Sequence, residues 1–585
     1  MKIKHFFGLA VIAAMTASCS SNEDLGTAGS GTGTNEAGVG YATFTINLPS
    51  VSGTRAADAG GAEMNEGSAE EYAVKSATAL IFQKYGSDEG SYKFVESVTL
   101  PIDGWTDDAT DGITTTSKKL VAKLTNVDTK NTYAVLVLLN NKSASGVKIE
   151  LPTAGQSYND WNNKVLSPDL AELAKTGEFY MANAPLNESG KVTTLVTIKE
   201  NNIYPTQKEA ESGTAAADVY VERGVAKMTV ADPGTITVKD KANPKVTTNS
   251  EVTFNNWALD ITNKKTFAVH NIDDLSSDFS TIWTTERFTG TNNRVYWGKD
   301  PNYSKIELKE ASDDGDKKRK EEFNIIDATS KIDKDFANTT NTNPVYCLEN
   351  TFNLANMYQG QTTRVIFKAT YTPKDDAGNN LAEPTDGTFY TIGNMKTILN
   401  ETKLQAALEA AAKSVLPSGY KVKYTNLKKE GSHVITLEDI VDDVAGTTHL
   451  DKDATYGTKT GAEIVKEIND RLGLTDGGGR DEAKVGINTY LNGVTYYIAR
   501  VKHFGDALTE WKSGENYGEN NDKYLGRYGM LRNNWYELTV GNVYGPGYPG
   551  VPPVDPTLPD DENEKYLSVS VKILSWAKRS QSVDL

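Results

Sequence analysis

Residues Tyr41–Ser50 read YATFTINLPS, and in them Ala42, Phe44, Ile46 and Leu48 alternate with more polar neighbours. A period of two over this length is the pattern of a half-buried β-strand. The same alternation recurs near the carboxyl end in YLSVSVKILSW (Tyr566–Trp576). There Leu567, Val569, Val571 and Ile573 share one face and Ser568, Ser570 and Lys572 the other. Between them, short strand-like runs stand between Gly, Asn and Asp: AVKSATALIF (Ala73–Phe82), YAVLVLLNN (Tyr133–Asn141), VYVERGVAKMTV (Val219–Val230), TRVIFKATY (Thr363–Tyr371) and WYELTVGNVY (Trp535–Tyr544). That density predicts a mainly all-β chain built from antiparallel β-sandwiches, not βαβ units.

Two helices are expected in the second half. Leu404, Leu408, Ala411 and Val415 form one apolar stripe, and Ile464, Ile468 and Leu472 another that stops at Gly473. They read as insertions into the second sandwich. With 585 residues the chain is long enough for two large β-domains. Lys plus Arg total 61 against 78 Asp plus Glu, a net charge of −17, which repels a phosphate backbone and argues against a nucleic-acid partner.

The amino terminus reads as an address. Lys2 and Lys4 precede the apolar stretch Phe6–Met15, too short to span a bilayer. Thr16, Ala17 and Ser18 then lead into Cys19, which resembles a bacterial lipoprotein cleavage box in which the Cys is acylated. Thr16 stands where such boxes usually carry Leu. Gly/Ser/Thr-rich residues follow as a tether. After the strand at Tyr41, VSGTR ends at Arg55 and small residues begin at Ala56, the setting in which a trypsin-like protease cuts most readily. With Cys19 acylated, Cys347 is the remaining thiol.

Catalytic constellations are not found by spacing: there is no GxSxG, HExxH, P-loop or paired CxxC. His5, His270, His433, His449 and His503 are scattered, so no metal site and no cofactor is expected. The acidic stretches Asp333–Asn338 and Asp451–Gly457 lack a full calcium-ligand set and read as solvated turns. Gly477–Gly479 reads as a loop, and the balanced run Asp313–Glu322 as an exposed one. From Tyr544 to Pro559 the sequence is YGPGYPGVPPVDPTLP, with six of the 19 prolines. It reads as an extended arm of up to ~50 Å at ~3.1 Å per residue. Such an arm could carry the last strand to a neighbour.

Ala42/Phe44/Ile46/Leu48 and Leu567/Val569/Val571/Ile573 each offer four apolar side chains at alternate positions, so either set could fill the same groove. Burial of three or four such side chains contributes on the order of 6–10 kcal/mol before entropic costs. Cutting after Arg55 would release the first strand and open a groove to strand addition from another molecule. Donor and acceptor lie at different places, so the contact would propagate head to tail and not close. The alternative is that both are ordinary strands of a monomer.

The chain resembles the fimbrillins of Bacteroidetes-type (type V) pili, in particular the short-fimbria major subunit. The residues that carry this are the Cys19 box and tether, GTR ending at Arg55, VYVERGVAKMTV around Arg223, Ala226 and Lys227, VYCLENTF (Val345–Phe352), GMLRNNWYELTV (Gly529–Val540) followed by YGPGYPG, and the closing SVSVKILSWAKRSQSVDL. The resemblance implies two transthyretin-like antiparallel β-sandwich domains, the second enlarged by helical insertions. The expected division is 1–18 signal, 19–55 propeptide, 56–232 and 233–543 sandwiches, and 544–585 arm and donor strand. It further implies palmitate-type acylation at Cys19, transport to the outer membrane, cleavage between Arg55 and Ala56 by an Arg-specific protease, and donation of Leu567–Trp576, including Trp576, to the next subunit. Self, anchor and tip subunits would be the partners of a non-enzymatic shaft protein that supports adhesion and biofilm formation. A monomeric surface lipoprotein that binds glycan or host protein is the second reading.

Overall fold

The structure is a computed structural model that describes residues 33–49, 64–65, 67–103, 117–128, 130–188, 191–282, 295–303, 310–327, 337–338, 343–351, 354–393, 397–475, 485–504, 509–512, 522–552, 554–560 and 567–576. The expected all-β character holds, because alternating runs pair wherever they can bury one face.

The first domain is built from β1 (Gly40–Asn47), β3 (Ala77–Gln83), β4 (Lys93–Leu100), β5 (Ser117–Leu124), β6 (Tyr133–Leu139), β7 (Met181–Asn183), β8 (Ile203–Tyr204) and β9 (Ala217–Arg223), with the two-residue β2 (Met64–Asn65) lying in the second domain's sheet. The strands follow the order β4-β3-β6-β7-β9-β1-β5. The two ends of this sheet meet: Glu96 on β4 accepts hydrogen bonds from the backbone of Thr125 and Asn126, just past β5, at 3.0 Å. One core fills the curl, and Phe44, Leu80, Phe82, Leu136, Leu138 and Val219 are all buried in it.

The chain crosses to the second domain between Val225, in the first core, and Ala226, in the second. The expected boundary after residue 232 therefore lies beyond the crossing. There β10 (Ala226–Val230), β13 (Val345–Cys347), β16 (Asn534–Val543) and β17 (Leu567–Trp576) form one sheet in the order β2-β17-β16-β10-β13. A second sheet runs β11 (Thr235–Lys239), β12 (Thr247–Asp260), β14 (Arg364–Thr372) and β15 (Val494–Arg500). Met228, Phe254, Trp257, Phe367, Tyr497 and Leu538 pack between the sheets. A bulge between Phe254 and Asn256 shifts the register of β12, which turns both Phe254 and Trp257 inward although they are three apart.

Three expectations are corrected. The sheets are mixed, since β1 runs parallel to β9 and β10 parallel to β16. The charge run is not a loop but the helix α1 (Asp313–Glu322). Ser312 caps it by accepting from Gly315 N at 3.0 Å, Asp314 pairs with Lys318 at 2.9 Å, and Arg319 is buried, donating to Glu310 O at 2.9 Å. Third, the Pro-rich arm is not free. Tyr548 exchanges both backbone hydrogen bonds with Tyr496 on β15, at 2.8 and 2.9 Å, and Pro559 bridges to Tyr358. Its polar backbone finds donors on the domain that the sequence could not place beside it.

The expected helices are α2 (Glu401–Ala412) and α3 (Gly461–Leu472). They bury Leu404, Leu408, Ile464 and Ile468 in a separate small core with Tyr390, Ile392 and Ile487. Gly473 ends α3 at φ +68°, a left-handed cap. Ala412 is buried in place of the expected Ala411, a drift of one position along the stripe.

Candidate functional site

Of the residues singled out from the sequence, Cys19, Arg55 and Ala56 lie outside the described residues. The first strand is described in full, and both of its edges are occupied. Along one edge all eight residues pair antiparallel with β5, from Gly40↔Leu124 to Asn47↔Ser117. Along the other, Tyr41 and Ala42 face β8, and Phe44–Asn47 run parallel to Ala217–Tyr220 of β9. Ala42, Phe44 and Ile46 are fully buried and Leu48 is 1% exposed. On the opposite face the Thr43 hydroxyl donates to Ala210 O at 2.6 Å. β1 is thus an interior strand contributed by a segment that sits amino-terminal to the rest of its own domain. Taking it out leaves a slot eight residues long between β5 and β8/β9, flanked by buried apolar side chains such as Leu120, Ala122, Val219 and Ile203.

The other matched strand lies elsewhere. β17 pairs antiparallel with β16, from Val543↔Leu567 to Asn534↔Ser575, which places Val569, Val571 and Ile573 opposite Val540, Leu538 and Tyr536. Trp576 pairs with Asn65 of β2. Hence the structure does not bring β17 to the slot of its own first domain. It lies next to β16 in the second-domain sheet, and among the described residues β2 pairs with its end at Ser575–Trp576.

Between the two domains sits a buried polar hub that sequence reasoning missed. The Glu71 carboxylate takes a hydrogen bond from Tyr346 at 2.6 Å and an ion pair from Lys227 at 2.7 Å. Arg223 Nε donates to Glu71 O at 2.8 Å, and its NH1 to Asn533 Oδ1 at 3.1 Å. The Lys227 ammonium stands 3.6 Å from the Trp535 ring centroid. Burial pushes the Glu71 carboxyl up, but Lys227, Tyr346 and Arg223 outweigh it and hold it below its ordinary value. The hub joins residues just after β2 to both domains and fixes their crossing. Its one signal in the sequence was Lys227, a charged residue inside a short strand between the apolar Ala226 and Met228.

A polar cavity of about 270 Å³ also lies at the domain junction, lined by Glu89, Tyr158, Asn159, Lys191 and Asp273 among others. Glu89 accepts from Thr194 N and Leu195 N at 3.0 Å, and Asp273 from Asn159 and Asn163 at 3.1 and 3.0 Å, so the chain itself supplies their partners. Of the histidines, His270 is buried against Glu222 at 2.7 Å and His503 against the Tyr536 hydroxyl at 2.8 Å. Among the described residues no group of three His, Cys, Asp or Glu is placed to hold a metal ion. Asp451 spends its carboxylate on the amides of Asp453 and Ala454. Cys347 is buried, with its sulfur 3.6 Å from that of Met530.

Residues 488–582 match the family model "Major fimbrial subunit protein type IV, Fimbrillin, C-terminal". The match runs through β15, β16, the Pro-rich segment and β17, and it agrees with the fimbrillin resemblance read from the sequence. Comparison with curated proteins gives no match. Among solved structures, a candidate cell adhesion protein from Parabacteroides distasonis is similar at 10% identity and TM-score 0.37, covering 92% of this chain and 99% of that one. A second, from Bacteroides eggerthii, is 11% identical at TM-score 0.32, over 94% and 98%. A fimbrial assembly protein from Parabacteroides distasonis is 14% identical at TM-score 0.21, over 40% and 67%.

Proposed function

We propose that this chain, whose residues 488–582 are of the fimbrillin carboxyl-terminal type, is a shaft subunit of cell-surface fimbriae that polymerises by strand exchange. The observation that carries the reading is β1: an interior strand with Ala42, Phe44 and Ile46 fully buried, held only by non-covalent contacts once the chain is cut between β1 and β2. In this reading Cys19 is acylated and holds the precursor at the outer membrane. An Arg-specific, trypsin-like protease cuts between Arg55 and Ala56, and β1 leaves with Ala42, Phe44, Ile46 and Leu48. Leu567–Trp576 of a second copy then fills the slot with Leu567, Val569, Val571 and Ile573. Copies add head to tail, because slot and donor strand sit on different domains. Anchor and tip subunits would end the fibre, whose role is adhesion and biofilm formation. The two domains would then be variants of a transthyretin-like pair, the first curled further than a flat sandwich.

A synthetic peptide of residues 561–585 tests this. Added in excess to trypsin-cut full-length protein, it is expected to occupy the slots and stop ladder formation, and to leave uncut precursor unbound. Equal binding to cut and uncut protein would refute the slot.

The second reading, a monomeric surface lipoprotein that binds glycan or host protein, is favoured by one observation: β17 is already paired along its length with β16. It predicts that cut protein stays monomeric.

A further inference from the structure

The Pro-rich segment Tyr544–Asp560 is held to the second domain at successive points from Gly545 to Asp560. Tyr497 donates its hydroxyl proton to Gly545 O at 2.7 Å and Tyr490 to Gly547 O at 3.0 Å. Gly547 has φ +67°, and a Cβ there would stand 2.5 Å from Tyr496 O, so the strap lies flush against β15. Tyr548 and Val551 cover Ile366, Tyr496 and Ile498 on the outer face of the β11-β12-β14-β15 sheet. Beneath the strap lie two buried arginines. Arg364 binds Asp260 Oδ2 at 2.7 Å and Pro552 O at 2.9 Å. Arg500 NH1 faces Asp560 Oδ1 at 3.4 Å, and Asp560 Oδ2 accepts from the Thr362 hydroxyl at 2.6 Å. Asp560 and Arg500 are 0% and 1% exposed in their side chains. Withdrawing Asp560 would strand a buried guanidinium, the costly way to break such a pair.

β17 and the strap differ in what they recover on leaving. The slot between β5 and β8/β9 is eight residues long, and β17, with ten, fills it. Strap residues have no seat there, so their bonds to Tyr490, Tyr497, Arg364 and Thr362 would be lost without replacement.

We propose that the strap stays docked during assembly, that Asp560 is the fixed point from which only the following chain moves, and that the neighbouring copy's slot is therefore met at the Asp560 end of the second domain. This rests on the strand-exchange reading above. Seven Cα steps separate Asp560 from Leu567, so Leu567 stays within roughly 25 Å of Asp560 at ~3.6 Å per step. An arm moving from Tyr544, 23 steps away, would reach roughly three times as far.

Two disulfide staples in a Cys347→Ser precursor (residues 20–585) separate this proposal from its premise. Tyr496→Cys/Tyr548→Cys ties the strap to β15 across a hydrogen-bonded antiparallel pair, where Cα atoms lie ~5.5 Å apart, within disulfide range. Leu538→Cys/Val571→Cys ties β17 to β16. After trypsin, the oxidised strap staple is expected to form ladders at the unstapled rate, within about twofold. The oxidised β17 staple is expected to stay monomeric until reduced. A strap staple that blocks ladders until reduced overturns the fixed strap while leaving strand exchange standing. A β17 staple that does not block them overturns strand exchange itself. Should the strap double variant fail to fold, hydrogen exchange of the unstapled protein decides. Protection of the Tyr548 amide in both monomer and polymer is expected, and its loss in the polymer would overturn the proposal.

Discussion

Phe44→Ala should weaken the precursor and leave the polymer untouched. Phe44 is fully buried in the first core, in the middle of β1, between Leu120 on β5 and Ala217 on β9. Truncating a buried Phe removes its transfer energy and leaves a cavity, at a cost of ~3–5 kcal/mol. For a domain of this size that is a drop in melting temperature of roughly 10 °C. Once the chain is cut after Arg55, the same loss falls on the hold of β1 in its slot. If the transition state for release has lost the Phe44 contacts, release accelerates by on the order of 10³-fold at 1.36 kcal/mol per decade. The assay is trypsin cutting of residues 20–585, followed over time by mass spectrometry of the freed amino-terminal peptide and size analysis of the remainder. Polymers made from either precursor contain no residue 44, so their denaturant midpoints should coincide. A release rate within twofold of wild type, or a polymer of altered stability, would refute the view that β1 is the displaced plug.

Further outcomes follow from the same geometry. Glu71→Gln leaves Lys227 buried without its counter-charge and should cost about 3–5 kcal/mol in chemical unfolding, most of it recovered in Glu71→Gln/Lys227→Met. Because Glu71 is held below its ordinary value, its contribution is present above about pH 4.5 and lost as pH falls through the lower folded value. Thermal midpoints should therefore fall more steeply below pH 4.5 in wild type than in Glu71→Gln. Burial pushes the Cys347 thiol up to about 12, so an aromatic disulfide reagent at pH 8 should label it only after unfolding in guanidinium. Leu408→Ala should cost ~2–5 kcal/mol locally and make residues 397–475 protease-sensitive, with ladder formation unchanged, since the described residues of its core include none of β1 and none of β16, the strand that β17 pairs with.

The alternation in Tyr41–Ser50 was enough to name Ala42, Phe44, Ile46 and Leu48 as one buried face, because a period of two has a single structural meaning when one face is apolar. Its partners were not legible. Parallel pairing with Ala217–Tyr220 joins residues more than 170 positions apart, and nothing local encodes which strand fills which edge. The closing strand shows the limit from the other side: Leu567/Val569/Val571/Ile573 looks the same whether it pairs with its own β16 or with a neighbour. Proline content marked out the segment from Tyr544 as distinct, but composition says nothing of its docking over Arg364 and Arg500, distant residues that contact Pro552 and Asp560. In Asp313–Glu322 the opposite charges were read as solvation, when their spacing of four also supports a helix once Ser312 caps it and Arg319 finds a buried seat.

The central claim is that cutting at Arg55 turns a capped monomer into a polymerising subunit through residues 567–585. Limited trypsin digestion of purified residues 20–585, read by mass spectrometry and by size in buffer without denaturant, tests it most directly. The account predicts a preferred cut after Arg55 followed by ladders that vanish when residues 567–585 are deleted. Ladders that persist in the deleted chain, or a protein cut at Arg55 that stays monomeric, would contradict it.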